Sequence, residues 1–159
     1  TPGMEYRMGG LEKQNITGNV SYDPENHQLM VKIREEKVEK IAWNIPEQQL
    51  DSGPDKGKLL VLGWGSTYGS IKSAVTELQS QGYAVSHAHL RYLRPFPRNL
   101  EMLIGNFDQV LVPEINNGQL VKILRDKYLI PARGYNKIMG VPITKRELIE
   151  VMKKMLADG

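Results

Sequence analysis

The sequence predicts an α/β fold: an open, mostly parallel sheet with helices on both faces, preceded by an extended tail and a helix. Two observations carry this. Three apolar runs of strand length, "KLLVLGW", "YAVSHAHL" and "QVLVPE", are continuous rather than alternating, as in strands buried on both faces. Each is followed by a segment with apolar residues at helical spacing, and that alternation of strand and helix makes a parallel sheet.

Thr1 to about Asp23 is rich in Gly, Asn and Thr and poor in periodicity, so it reads as an extended tail lying on something else. A helix then runs from Pro24 to about Ala42. Asp23 is its N-cap, and Pro24 stands where a missing N–H costs nothing. Leu29, Val31, Ile33, Val38 and Ile41 give it a partial apolar face, and "REEKVEK" faces solvent. "NIPEQQLDSGPDKGK" breaks both periodicities with two prolines and two glycines and reads as a linker. The expected division is therefore 1–51 for tail and connecting helix and 52–159 for the α/β domain.

In that domain "KLLVLGW" is the first strand. "TYGSIKSAVTELQSQG" is a helix burying Ile71, Val75 and Leu78 and stopping at Gly82. "YAVSHAHL" is the second strand, and "PRNLEMLIGNF" a short helix on Leu100, Leu103 and Ile104. "QVLVPE" is the third strand. "NGQLVKILRDKYL" is a helix with Leu120, Ile123 and Leu124 inward, and "ARGYNKIMG" is the fourth strand. "TKRELIEVMKKMLADG" closes the chain with a Thr144–Glu147 capping box and a stripe of Leu148, Val151, Met152 and Met155.

Composition excludes several classes. The 159 residues carry 21 Lys and Arg against 18 Asp and Glu, a net charge of +3 with no run of five like charges. This is an ordinary solvated surface and gives no nucleic-acid footprint. There are no cysteines, so the chain supplies no disulfide framework and no thiolates to a cluster or zinc site, which fits a cytoplasmic location. No apolar run approaches the ~20 residues that span a bilayer. The chain starts with Thr rather than Met and reads as a fragment or cleavage product of a longer subunit.

Three stretches invite a functional reading. The first is Gly63-Trp64-Gly65-Ser66-Thr67-Tyr68-Gly69. A dinucleotide fingerprint needs Gly where Tyr68 stands and an acidic residue about 20 positions on, and both are missing. A P-loop fails for lack of Gly-Lys-Ser/Thr. Gly65 then allows a tight turn, Ser66 or Thr67 caps the helix, and Gly69 permits close packing. A helix N-terminus can still hold an anion, so Gly65, Ser66 and Thr67 remain weak anion candidates. The second is His87-x-His89, which puts both rings on one face of a strand without a third ligand and reads as a structural pair. His27, on an exposed helix face, has no assigned role. The third is "VPEINNGQL", at the carboxyl edge of a strand, where α/β sheets build sites. Its amides can cap the next helix through Asn116 or Asn117. Glu114 can serve a subunit contact or act as a general base. Glu114, Asn116 and Asn117 are the interface candidates, and no residue is assigned a catalytic role.

Together "LGWGSTYGSIKSAV", "LRYLRPFP", "VLVPEINNGQL" and "GVPITKREL" resemble the C-terminal domain of the alpha subunit of 2-oxoacid:ferredoxin oxidoreductases of the 2-oxoglutarate type. "TPGMEYRMGGLEKQNITGNVSYDPENHQLMVKIREEKVEKI" resembles the end of the thiamine-pyrimidine domain that precedes it. The resemblance covers essentially the whole chain. It implies a transketolase C-terminal-like fold whose role is mainly assembly. In the full enzyme a 2-oxoacid is decarboxylated on thiamine diphosphate with Mg, electrons leave through a 4Fe-4S cluster to ferredoxin, and the acyl group goes to coenzyme A. The implied partners are the beta subunit, which holds the cluster cysteines, and ferredoxin, in an oligomer. This chain alone would bind no cofactor and be inactive. Two other readings stay open: a flavodoxin-like module holding a nucleotide or anion at Gly65–Thr67, and a stand-alone enzyme using Glu114.

Overall fold

A computed structural model describes residues 2–3, 5 and 9–158; the first part of the expected tail lies outside these. The chain divides into two compact units, Thr1–Ile45 and Pro46–Gly159.

In the first unit α1 spans Pro24–Lys40, and Asp23 caps it by accepting from the N–H groups of Glu25 and Asn26 at 3.2 and 3.3 Å. A hairpin bridged at Lys13 and Val20 packs on the start of this helix. The expected apolar face of α1 is not covered. Leu29, Val31 and Ile33 are exposed, and Asn26 is its buried residue.

The second unit carries β1 (Leu50–Ser52), β2 (Gly57–Trp64), α2 (Tyr68–Ser80), β3 (Val85–Leu90), α3 (Leu100–Gly105), β4 (Phe107–Glu114), α4 (Gln119–Tyr128), β5 (Arg133–Asn136) and α5 (Lys145–Asp158). The sheet order is β1-β3-β2-β4-β5. β3, β2, β4 and β5 are parallel, and β1 adds an antiparallel edge on β3.

The continuous apolar strands have the predicted cause. Along β2, Leu59 and Val61 pack with α2 and α5, while Leu60 and Leu62 pack with α3 and α4. Successive residues point to opposite faces, so a strand covered on both sides needs every position apolar. The capping box of α5 is present: Thr144 N donates to Glu147 Oε2 at 2.7 Å and Glu147 N donates back to Thr144 Oγ1 at 3.3 Å.

Three expectations change. Residues 46–51 belong to the second unit rather than to the connection. β1 joins the sheet there, and Gln48 exchanges two backbone bonds of 2.8 Å with the Asn99 side chain. The fourth strand stops at Asn136 instead of Gly140. On α4, Leu120, Val121 and Leu124 turn inward, whereas Ile123 is half exposed.

Candidate functional site

From β2 the chain crosses by α2 to β3 on one side; it later lays down β4 on the other side of β2. The carboxyl ends of β2 and β4 therefore flank the point where the winding direction reverses, the place where open α/β sheets form crevices. The β2–β4 pairing runs as far as Val61 and Leu111, and a crevice opens beyond it. Its larger part, about 280 Å³, is lined by Ser66, Thr67, Ser70, Ile115, Lys137 and residues 140–143. A smaller part, about 220 Å³, touches Trp64, Gly65 and Asn116.

One wall is the glycine turn, Gly65–Thr67, a single 3-10 turn leading into α2. Gly65 has φ +60 and open space at its Cβ, so it is there for its conformation. Thr67 does not cap α2. Its Oγ1 instead donates to Trp64 O at 2.8 Å and accepts from Trp64 N at 3.3 Å, closing the turn on the strand. The close approach belongs to Gly63 and not to Gly69. A Cβ on Gly63 would meet Ile71 Cδ1 at 2.5 Å and His89 Nδ1 at 2.8 Å, while one on Gly69 would meet nothing within 4 Å.

The other wall follows β4. Glu114, expected at an interface, is wholly enclosed. Its Oε1 accepts from Leu120 N at 2.9 Å and its Oε2 from Val121 N at 3.0 Å. Trp64 Nε1 donates to Oε1 at 3.3 Å. Gly118, which precedes α4, has no side chain to cap the helix, so the carboxylate reaches back to hold the free N–H groups of the first turn. That enclosure removes both oxygens from any partner's reach. Asn116 completes the cap, its Oδ1 accepting from Gly118 N and Gln119 N at 2.8 and 3.0 Å. Asn117 is exposed.

As an anion site the crevice is poorly equipped. Lys137 lies on its wall, but Nζ is bonded to both Glu147 oxygens at 2.9 and 3.0 Å and to Pro142 O at 3.1 Å. Glu147 is held down to a pKa of about 2 by its bonds from Thr144 and then from Lys137, so its carboxylate stays ionised over ordinary pH. Sequence reasoning missed Trp64 and Lys137 here. The Trp64–Glu114 pair is 50 residues apart in the chain and left no local signal.

His87 and His89 face α2 as the strand alternation requires. Their rings lie 6.0 Å apart, with Tyr68 at 5.5 and 5.0 Å. His89 Nε2 is 3.2 Å from Gly65 O. His87 is fully buried with neither ring nitrogen hydrogen-bonded. Burial lowers its pKa to about 4, with Asp51 opposing and His89 and Lys72 assisting. Burial also lowers that of His89. Among the described residues no three His, Cys, Asp or Glu are grouped to hold a metal, and no helix is long and apolar enough to cross a membrane.

Residues 57–147 match the family model for pyruvate:ferredoxin oxidoreductase core domain II. The chain is 42% identical over 157 residues to 2-oxoglutarate oxidoreductase subunit KorA of Mycobacterium tuberculosis, covering 99% of this chain and 24% of that protein. It is 31% identical to 2-oxoacid:ferredoxin oxidoreductase 2, subunit alpha, of Aeropyrum pernix, covering 94% of this chain and 24% of the relative. Among solved structures, the 2-oxoglutarate:ferredoxin oxidoreductase of Magnetococcus marinus, with 2-oxoglutarate, coenzyme A and succinyl-CoA bound, superposes with a TM-score of 0.86 at 26% identity. That match covers 98% of this chain and 27% of the other. A split-gene transketolase shares the fold, with a TM-score of 0.53 at 17% identity over 70% of this chain and 41% of its own. The chain thus spans about a quarter of the length of the oxidoreductases it matches. With both of these curated relatives oxidoreductase subunits and Lys137 already paired, a separate nucleotide-binding module is not favoured.

Proposed function

Because the chain belongs to the family of the pyruvate:ferredoxin oxidoreductase core domain II, we propose that it is the C-terminal part of the alpha subunit of a 2-oxoglutarate:ferredoxin oxidoreductase. The observation that carries this is the likeness running along the whole chain, 99% of it at 42% identity to a 2-oxoglutarate oxidoreductase subunit. The whole enzyme would oxidatively decarboxylate 2-oxoglutarate to its acyl-CoA and pass the electrons to ferredoxin. Residues 1–45 would be the end of a thiamine-pyrimidine domain and the connection out of it.

Within that enzyme this piece acts in assembly. Thiamine diphosphate, Mg and a 4Fe-4S cluster would supply the decarboxylation and electron chemistry. The residues present do not fit the cluster, because the chain has no cysteine to ligate it. The cluster is accordingly assigned to the beta subunit, and thiamine diphosphate with Mg to the preceding domain and the beta subunit, as the family resemblance implies. The crevice wall supports an assembly role, because its charged groups are satisfied internally while its Ile115 and Val141, and Ile138 and Met139 next in the chain to Lys137, remain exposed. Exposed apolar patches mark protein contacts. Asn117, exposed beside Ile115, remains an interface candidate. Zero cysteine supports a reducing cytoplasm.

The test is reconstitution. The full-length alpha subunit purified with its beta subunit should reduce ferredoxin only when 2-oxoglutarate and coenzyme A are both supplied. The present chain with thiamine diphosphate should give no turnover. Turnover by the chain alone would overturn the assembly role; turnover of a different 2-oxoacid by the complex would reassign the substrate.

A further inference from the structure

The hairpin of the first unit presents one residue in an unusual way. Lys13 pairs with Val20, Gln14 N donates to Asn19 O at 2.7 Å, and Gly18 N donates to Gln14 O at 3.0 Å. At the tip Ile16 has φ +73 and is 97% exposed. A side chain branched at Cβ is strongly disfavoured in the left-handed region, where Gly or Asn sits easily. Full exposure of an isoleucine gains nothing in water. Both choices at this residue are therefore unfavourable within the chain itself.

The tip is nevertheless held firmly. The buried Asn26 of α1 accepts from Asn15 N and donates to Lys13 O, each at 2.9 Å. Glu12, at the base of the hairpin, receives both Arg34 guanidinium nitrogens at 3.0 and 2.9 Å and lies 2.8 Å from His27 Nδ1. Strain that the surroundings hold in place marks a point of contact. A braced turn that carries one strained, bare isoleucine is built to insert it into something.

We propose that Ile16 is a docking knob that seats in an apolar pocket on the remainder of the same alpha subunit. This rests on the reading of the chain as part of that subunit. The occupant follows from length and from what the unit lacks. The matched relatives are about four times longer, so most of the polypeptide lies outside this chain. The first unit is also short of a core, with Asn26 the buried residue of α1 and Leu29, Val31 and Ile33 all exposed.

Opposite signs in two contexts test it. In the present chain Ile16→Gly removes the backbone strain, and its melting temperature should hold or rise. In the full-length alpha subunit the same substitution should shorten the lifetime of the hairpin under limited proteolysis about tenfold, because a buried isoleucine is lost. Ile16→Asp, which also sets a charge in the pocket, should shorten it further. Equal or longer lifetimes for Ile16→Gly in the full-length subunit would overturn the proposal. So would a wild-type chain that dimerises and an Ile16→Asp chain that does not, since a second copy would then be the occupant. None of these readouts depends on turnover, so a failure of the oxidoreductase reading appears separately, as an inactive wild-type complex.

Discussion

Trp64 Nε1 donates to Glu114 Oε1 across 3.3 Å, joining the last residue of β2 to the last residue of β4. The two strands have already stopped pairing at that height. The bond therefore holds the two sides of the crevice together where the ladder no longer does. Glu114 also carries the first turn of α4, so one enclosed carboxylate serves a strand, a helix and the crevice.

Glu114→Ala should accordingly unfold the chain more easily. It leaves the N–H groups of Leu120 and Val121 and the indole of Trp64 without their acceptor in a buried setting. Each such orphan costs on the order of 1–3 kcal/mol, and the total should reach about 3 kcal/mol. Urea denaturation of the purified chain measures it, and Trp64 fluorescence should shift in the folded baseline. Glu114→Gln keeps one acceptor and should lose less. A mutant with an unchanged midpoint but weaker association with the beta subunit would return Glu114 to an interface role.

His87 makes stability depend on pH. Its folded pKa of about 4 lies below the ordinary 6.5, because burial opposes the charged ring. The folded state then resists a proton that the unfolded state accepts. Stability is complete above about pH 6.5, declines as pH falls toward 4, and changes no further from this group below that. The shift corresponds to roughly 3 kcal/mol over the whole window. His87→Leu should flatten thermal stability between pH 6.5 and 5. At pH 7 it should be neutral or stabilising, because no ring bond is lost. Parallel wild-type and mutant curves would show that His87 takes up its proton as readily in the folded state as in the unfolded one.

Gly63, near the end of β2, and Gly65, in the turn, should fail differently. Gly65→Ala meets no atom but must adopt φ +60, costing about 1–2 kcal/mol, and Gly65→Asn should recover part of that. Gly63→Ala forces Ile71 and His89 aside, and overpacking of this kind costs roughly 1–3 kcal/mol. Thermal melts of the three variants separate the causes. Equal losses for Gly65→Ala and Gly65→Asn would mean that the turn needs glycine for space and not for conformation.

The elements legible in the sequence are those whose cause is local. An apolar run such as Leu59–Leu62 can be satisfied only by cover on both faces, so the layered sheet follows from the run itself. Asp23 before Pro24 and Thr144 before Glu147 mark helix starts because the capping partners lie within three residues. The family resemblance was legible for a related reason: ordered short motifs survive reading one at a time.

The rest depended on partners distant in the chain. β1 is three residues between Pro and Gly with no periodicity of its own, and it is a strand only because β3 offers it a free edge. Val31 is an apolar residue that periodicity alone would send inward, and Ile16 lies in a tail without periodicity, yet both are exposed. Glu114 looked like a surface carboxylate because it sits in a polar stretch. Its role was decided by Trp64, which lies 50 positions earlier, and by α4, whose start at Gly118 brings no capping side chain. A sequence prescribes the bonds a residue makes with its near neighbours. Which distant group reaches a buried oxygen is set only when the strands are side by side, because an enclosed carboxylate takes whatever donors the finished packing brings to it.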